Sequence, residues 1–186
     1  QQNAGAPRRS LGEDREARVL QVAAARLRVQ FTGSRIHLSF QPGLTAYKGK
    51  LLSHSPKGEP VHAGSFIPRR RVILDSELAR HRGAAIRILL HELFHFAWVR
   101  LSNARRRDWE RLLIDEGNAR GELGWSSEYR RDALSPSDAR LRSRRWREYA
   151  CESFCDTAAW RFGTLRSHSE FTLAEKWRKR RAAWMD

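Results

Sequence analysis

An α+β fold, a short mixed sheet packed against two buried helices, is what this sequence predicts, and three observations carry it. The 186 residues are one ordinary domain's worth of chain, long enough to bury about 70% of the unfolded surface without staples. Apolar residues make up 40% of it, with seven Trp and eight Phe, so a core is available and wholesale disorder is excluded despite 31% charged residues. After one leading helical segment, period-two stretches occupy the first half and helical periodicity takes over from Gly83. Residues 1–186 therefore read as a single domain, with 1–10 expected to be a disordered tail.

Taken in order, Ser10-Leu-Gly-Glu13 has the form of a capping box, and Val19, Leu20, Ala23, Ala24 and Leu27 follow at helical spacing, so a first helix is expected near 12–28. Ile36, Leu38 and Phe40 alternate with polar residues and run into Gln41-Pro42-Gly43, a strand ended by a turn. A second strand is expected around Ala46 to Leu52. Ser53 to Ser65, with Pro56, Gly58, Pro60 and Gly64, reads as loop, and Arg71-Val-Ile-Leu74 as the next strand. Gly83 to Leu101 lacks any Gly or Pro after its first residue and is apolar on most sides of the helical wheel, the mark of a buried helix. Ser102 or Asn103 caps a further helix through about Ile114, and Gly117, Gly121 and Gly124 mark a loop carrying Trp125. A second long helix is expected from Ser135-Pro136 or Ser137 to Gly163, and Thr172-Leu-Ala-Glu175 repeats the capping-box signature before a last, basic helix with Trp177 and Trp184.

No apolar stretch approaches the ~20 residues of a membrane-spanning helix. The chain opens Gln-Gln-Asn-Ala-Gly-Ala-Pro, with no apolar signal core. Cys151 and Cys155 stand one helical turn apart, a poor geometry for a disulfide and too few cysteines for a stapled scaffold. A reducing, cytoplasmic compartment is the expectation, with the two thiols packed as small buried hydrophobes.

The chemistry concentrates in His91-Glu-Leu-Phe-His95, inside the buried helix. Imidazoles four residues apart project from one face, with Cα atoms about 6 Å apart, so both reach one metal ion. Glu92, turned about 100° around the axis, need not ligate and is free to take a proton. Left without partners, two imidazoles and a carboxylate on an apolar helix would each cost about 2–7 kcal/mol. A metal ion removes that cost.

At this motif the chain resembles the zincin metallopeptidases. The metzincin branch would need Gly and His where Trp98 and Leu101 stand. The gluzincin branch takes its third ligand, a Glu, from a second helix, with an acidic residue one turn later bonded to a ligand His. Two Glu-x-x-x-Asp matches exist, Glu152/Asp156 and Glu128/Asp132. The second sits in a short, polar segment after a Gly-rich loop, whereas Glu152 lies in a long helix of small residues suited to close packing. Glu148, one turn before Glu152, stays open as an alternative third ligand. The likeness covers the region 70–160 and is nearest the minimal-core gluzincins, although 56 residues separate His95 from Glu152.

The resemblance implies a zincin-like fold and a Zn2+-dependent peptidase, with His91, His95 and Glu152 as ligands, Asp156 behind them and Glu92 as general base acting on zinc-activated water. It also implies that Arg71, Val72, Ile73 and Leu74 form an edge strand pairing with extended substrate. His168, Tyr149 and Tyr129 are the candidate donors to the tetrahedral oxyanion. A peptide or protein is the implied substrate.

Lys and Arg number 36 against 21 Asp and Glu, a net charge of +15. From Arg100 to Arg147 thirteen Arg face eight acids, and from Arg161 to Arg181 seven bases face two. Such a surface attracts phosphate backbones or acidic proteins. The competing expectation to a peptidase is thus a catalytically idle zincin fold serving as a basic module for nucleic acid or a partner protein.

Overall fold

The computed structural model describes residues 11–26, 33–48, 50–117 and 119–186, and within them an α+β architecture of two small sheets and seven α-helices. Ser10 and Leu27, expected to open and extend the first helix, and the tail 1–10 lie outside the described residues. Helix α1 (Leu11–Arg26) lays Val19 and Ala23 on the core. One sheet joins β1 (His37–Gln41), β6 (Arg71–Asp75) and β5 (Ala63–Phe66), in the order β1-β6-β5. β1 runs parallel to β6 with His37 opposite Arg71, and β5 runs antiparallel with Ala63 opposite Leu74.

The second sheet is a hairpin of β2 (Leu44–Tyr47) and β3 (Lys50–Ser53) with the two-residue β4 (Glu59–Pro60) on the other side of β2. Asp75 couples the sheets: one carboxylate oxygen accepts from the Leu44 amide at 2.8 Å, the other from Glu77 N at 2.8 Å. The segment 53–65, read as loop, therefore contributes two strands, and the single strand expected over 46–52 is a hairpin turning at Lys48, which takes a positive φ.

Helix α2 (Arg82–Trp98) follows β6 through a 3-10 turn, Ser76–Arg80. It is apolar all round because it is covered on two sides. Ile86, Leu89, Leu90, Leu93 and Phe96 pack with Val72 and Leu74 of the sheet, while Phe94 and Trp98 pack with α3 (Asn103–Asp115) and α6 (Arg144–Phe162). On α6, Ala150, Ala158 and Ala159 are buried and let the two helices close on each other. Trp109, fully buried, ties α3 to α6 by donating its indole N–H to the Ala150 carbonyl at 3.0 Å.

The long helix expected over 135–163 is broken into α5 (Asp138–Leu141) and α6. Arg142 takes a positive φ between them, and Ser143 caps α6 with its hydroxyl on Trp146 N. The Gly-rich segment around Trp125 holds a helix of its own, α4 (Trp125–Asp132). Thr172 does not cap α7 (Glu175–Met185); Ala174 is its N-cap, and the Thr172 hydroxyl instead accepts from the Glu122 amide at 2.9 Å. Among the described residues no helix is long and apolar enough to cross a membrane.

Candidate metal centre

His91 and His95 on α2 face Glu152 and Asp156 on α6, a spacing of four against a spacing of four. Nε2 of His91 lies 3.1 Å from Glu152 Oε2 and 3.2 Å from Nε2 of His95, and the third side of the triangle, His95 Nε2 to Glu152 Oε2, is 3.8 Å. Ligand atoms held at about 2.0–2.1 Å around a tetrahedral zinc stand about 3.3 Å apart. Two imidazole nitrogens and one carboxylate oxygen at these separations fit such an ion.

The partners behind the triangle come from α6 and α4. His91 donates its Nδ1–H to Asp156 Oδ1 at 2.7 Å, which leaves Nε2 as the free lone pair turned to the triangle. The other Asp156 oxygen accepts from the Ser127 amide at 2.9 Å, in the first turn of α4. Gly124, just before that helix, lies against Asp156 so closely that a Cβ there would overlap the carboxylate. On the second histidine, Nδ1 of His95 is 3.4 Å from Sγ of Cys151, and Cys155 stands behind it within one cluster. Cys151 is thus a neighbour of a ring nitrogen rather than an inert small hydrophobe, and Cys155 is buried.

The field of this cluster is that of a site built for a cation. Burial opposes charge on His91, but the Asp156, Glu152 and Glu92 carboxylates outweigh it and hold the ring well above the ordinary imidazole range. His95 is also raised, against burial, by Cys151 and Glu152. Burial pushes Glu152 up, yet the two histidines bring it below the usual carboxylate range. A hydrogen bond from Cys155 lowers the Cys151 thiol to about 6, against burial and with help from His95.

Glu92 stands outside the triangle and lines a cleft of about 490 Å3 beside it. The Ser65 hydroxyl, on β5, donates to the Glu92 carboxylate and lies 3.0 Å from the Glu92 carbonyl. Val61, His62 and Ala63 form one wall of the cleft and Trp125 the other, with Arg87 and Ile88 one helical turn before the motif. Arg87 is held by Glu170 at 2.9 and 3.3 Å, and the same carboxylate accepts from Trp125 N at 2.9 Å.

Several sequence-based assignments are corrected by these positions. Arg71 to Leu74 is not an edge strand: β6 is the middle strand, its backbone consumed by β1 and β5. The strand with a free side next to the cleft is β5. Tyr149 faces away from the triangle; its buried hydroxyl donates to Glu122 Oε1 at 2.6 Å. His168 does not line the cleft; its Nδ1 accepts from Glu170 N at 3.2 Å and its ring lies against Phe171. Tyr129 is exposed and stacks on Trp125. Glu148 is turned outward, paired with Arg130 at 2.6 Å and Arg144 at 2.7 Å, and is not part of the donor triangle. Glu128 lies on the short, polar helix α4 and is not part of the donor triangle; that helix contributes the Ser127 amide to Asp156 and Trp125 and Ser126 to the cleft.

Sequence reasoning missed Ser65, Ser127, Gly124 and the Cys151 contact. Only the last had a legible signal, since Cys151 directly precedes Glu152 and repeats at the spacing of the two histidines.

A buried ionic knot fixes the far end of α6. Arg181 of α7, fully buried, donates to Glu116 at 2.9 and 2.6 Å and to Glu122 at 2.7 Å, and Glu122 also receives the Tyr149 hydroxyl. Helices α6 and α7 meet there with Glu116 and Glu122.

No protein-family model matches the chain, and no curated protein or solved structure matches it either.

Proposed function

We propose that the chain is a zinc-dependent peptidase of zincin-like, gluzincin type, with His91, His95 and Glu152 as the residues that would hold the ion. The observation that carries this reading is the triangle of two Nε2 atoms and one carboxylate oxygen, its sides 3.1, 3.2 and 3.8 Å, standing beside a carboxylate that does not belong to it. When bound, zinc supplies a Lewis acid that polarises a carbonyl and makes water easy to deprotonate near neutrality.

The protein's own groups do the rest. Asp156 orients His91, and Cys151 lies against the outer nitrogen of His95. Glu92 takes a proton from water in the cleft and delivers it to the leaving amine as the peptide C–N bond breaks. Ser65 anchors that carboxylate to β5, the outer strand, along which an extended peptide pairs by backbone hydrogen bonds. With Tyr149 and His168 directed elsewhere, His62, Arg87, Trp125 and Ser126 are cleft residues outside the triangle whose side chains carry donors for the oxyanion.

The test is Glu92→Gln assayed on a denatured protein or quenched peptide library, with metal content measured in parallel. The expected result is chelator-sensitive cleavage by the parent chain and its loss in the variant, with zinc retained. Cleavage unaffected by Glu92→Gln, or no zinc retained by the parent chain after dialysis against the metal, overturns the reading.

A further inference from the structure

A second cleft, of about 270 Å3, opens between the C-terminal end of α2, the start of α3 and the α5–α6 corner. Its lining includes four guanidinium groups, Arg106, Arg107, Arg142 and Arg147, and one carboxylate, Glu110. Glu110 is buried and fully engaged: Arg142 grips both its oxygens, at 2.7 and 2.8 Å, and the Trp146 indole reaches it at 3.4 Å. Arg106 is locked as well, donating to the carbonyls of Trp98 at 3.1 Å and Val99 at 2.7 Å. Arg107 and Arg147 are exposed and have no ion-pair or hydrogen-bond partner among the described residues.

Four like charges gathered on one cleft with a single carboxylate repel one another. Two of the guanidiniums are nevertheless held rigidly by backbone and Glu110, and the other two are left unpaired at the mouth. The held pair spend Nε and Nη2 on those partners and keep their Nη1 hydrogens in a fixed place for an anion, while Arg107 and Arg147 keep whole guanidinium forks to grip its oxygens. Beyond the rim Arg105, Arg140 and Arg145 are exposed on the same helices, and Arg144, also exposed, is paired with Glu148. An isolated anion needs only the cleft. A polymer carrying one negative charge per repeat also uses the rim.

We propose that this cleft is a phosphate-binding site for the backbone of a nucleic acid, separate from the metal centre and independent of whether the latter hydrolyses peptides. Arg106 and Arg142 form its fixed floor, and Arg107 and Arg147 close on the phosphate from the mouth. The contacts are to backbone phosphates, so binding is insensitive to base sequence and steep in salt.

The test is fluorescence anisotropy of a labelled 20-nucleotide single strand titrated with the full chain at several salt concentrations. Arg107→Glu/Arg147→Glu is compared with Arg15→Glu/Arg18→Glu, which makes the same change in net charge on exposed positions of α1. The cleft variant is expected to weaken binding about tenfold or more and to lower the slope of log K against log salt by about 1.4, at about 0.7 per lost phosphate contact on a single strand. The α1 variant is expected to lose far less. Equal losses in both variants reduce the effect to net charge and overturn the site. Tighter binding of poly-L-glutamate through the same arginines overturns the choice of nucleic acid, as does binding of inorganic phosphate with no binding of the strand. Unchanged thermal midpoints of both variants verify that the fold is intact. No step of the assay reads peptide cleavage, so failure here leaves the peptidase reading standing, and the reverse.

Discussion

Ser65, on the outermost strand of its sheet, donates a hydrogen bond to the carboxylate of Glu92, one residue into the histidine motif of α2. The contact joins the outer strand to the carboxylate proposed as general base. A hydrogen bond to a charged group contributes about 1.5–3 kcal/mol. Ser65→Ala is therefore expected to lower kcat/KM about tenfold to a hundredfold, with metal content unchanged. Unaltered kinetics in that variant show that the carboxylate needs no anchor.

The donor triangle assigns unequal weights to three carboxylates on one helix. Glu152→Gln is expected to abolish stoichiometric zinc binding, because the ring nitrogens lose the anionic third donor. Asp156→Asn keeps all three ligands but disturbs the tautomer of His91 and is expected to weaken affinity about 10–100-fold. Glu148→Gln, which breaks only outward pairs with Arg130 and Arg144, leaves affinity as it was. Competition with a chromophoric chelator measures all three, and a reversed order for Glu148 and Glu152 exchanges their roles. Alkylation of Cys151, 3.4 Å from His95 Nδ1, belongs to the same series and is expected to hasten zinc release.

Arg181 is a stability hot spot far from any reacting atom. Arg181→Met leaves Glu116 buried without the cation that grips both its oxygens and leaves Glu122, among cations, only the longer contact with Arg131 at 3.4 Å, and removing one partner of a buried pair costs about 3–5 kcal/mol. Urea denaturation of the two proteins is the measurement. A loss below about 1 kcal/mol shows that water reaches the carboxylates.

Asp138 gives a pH dependence whose sign follows from its partners. The hydroxyls of Ser143 and Ser135, with the Ser135 amide, hold its carboxyl down at about 2. Unfolded, an aspartate titrates at about 3.9. The folded value is the lower one, so the stabilisation is complete above about pH 4 and disappears as pH falls through about 2. Asp138→Asn is expected to melt below the parent at pH 7, the gap between the two closing across that interval. A gap independent of pH assigns the difference to packing.

The helices were legible in the sequence where burial and period agreed, and so were β1 and β6, but the order of the strands in the sheet was not. α2 stands out because, past Arg82, only Arg87 and the motif itself interrupt its apolar run, and Glu152 with Asp156 could be placed because α6 carries alanines where α2 must approach. β5, Ala-Gly-Ser-Phe, has none of the β-branched alternation that marks a strand. It exists because β6 offers it a ladder and because Leu51 packs where a side chain on Gly64 would lie. Missing β5 made β6 look like the edge. The break after α5 was equally hidden, since it rests on a left-handed Arg142 and on hydroxyls of Ser135 and Ser143 folding onto Asp138. α4 is eight residues of mostly polar chain, and its link to Asp156 is one backbone amide, which no side-chain pattern reports.

Gly124 brings no functional group to the protein, yet a methyl group placed there would push Asp156 aside and, through it, tilt the imidazole of His91. A saturation screen scored on the proposed zinc binding is therefore expected to flag position 124 alongside His91, His95 and Glu152, although Gly124 has no side-chain donor atom of its own. Intolerance to mutation in this molecule marks out the close approach of a bare backbone to a carboxylate.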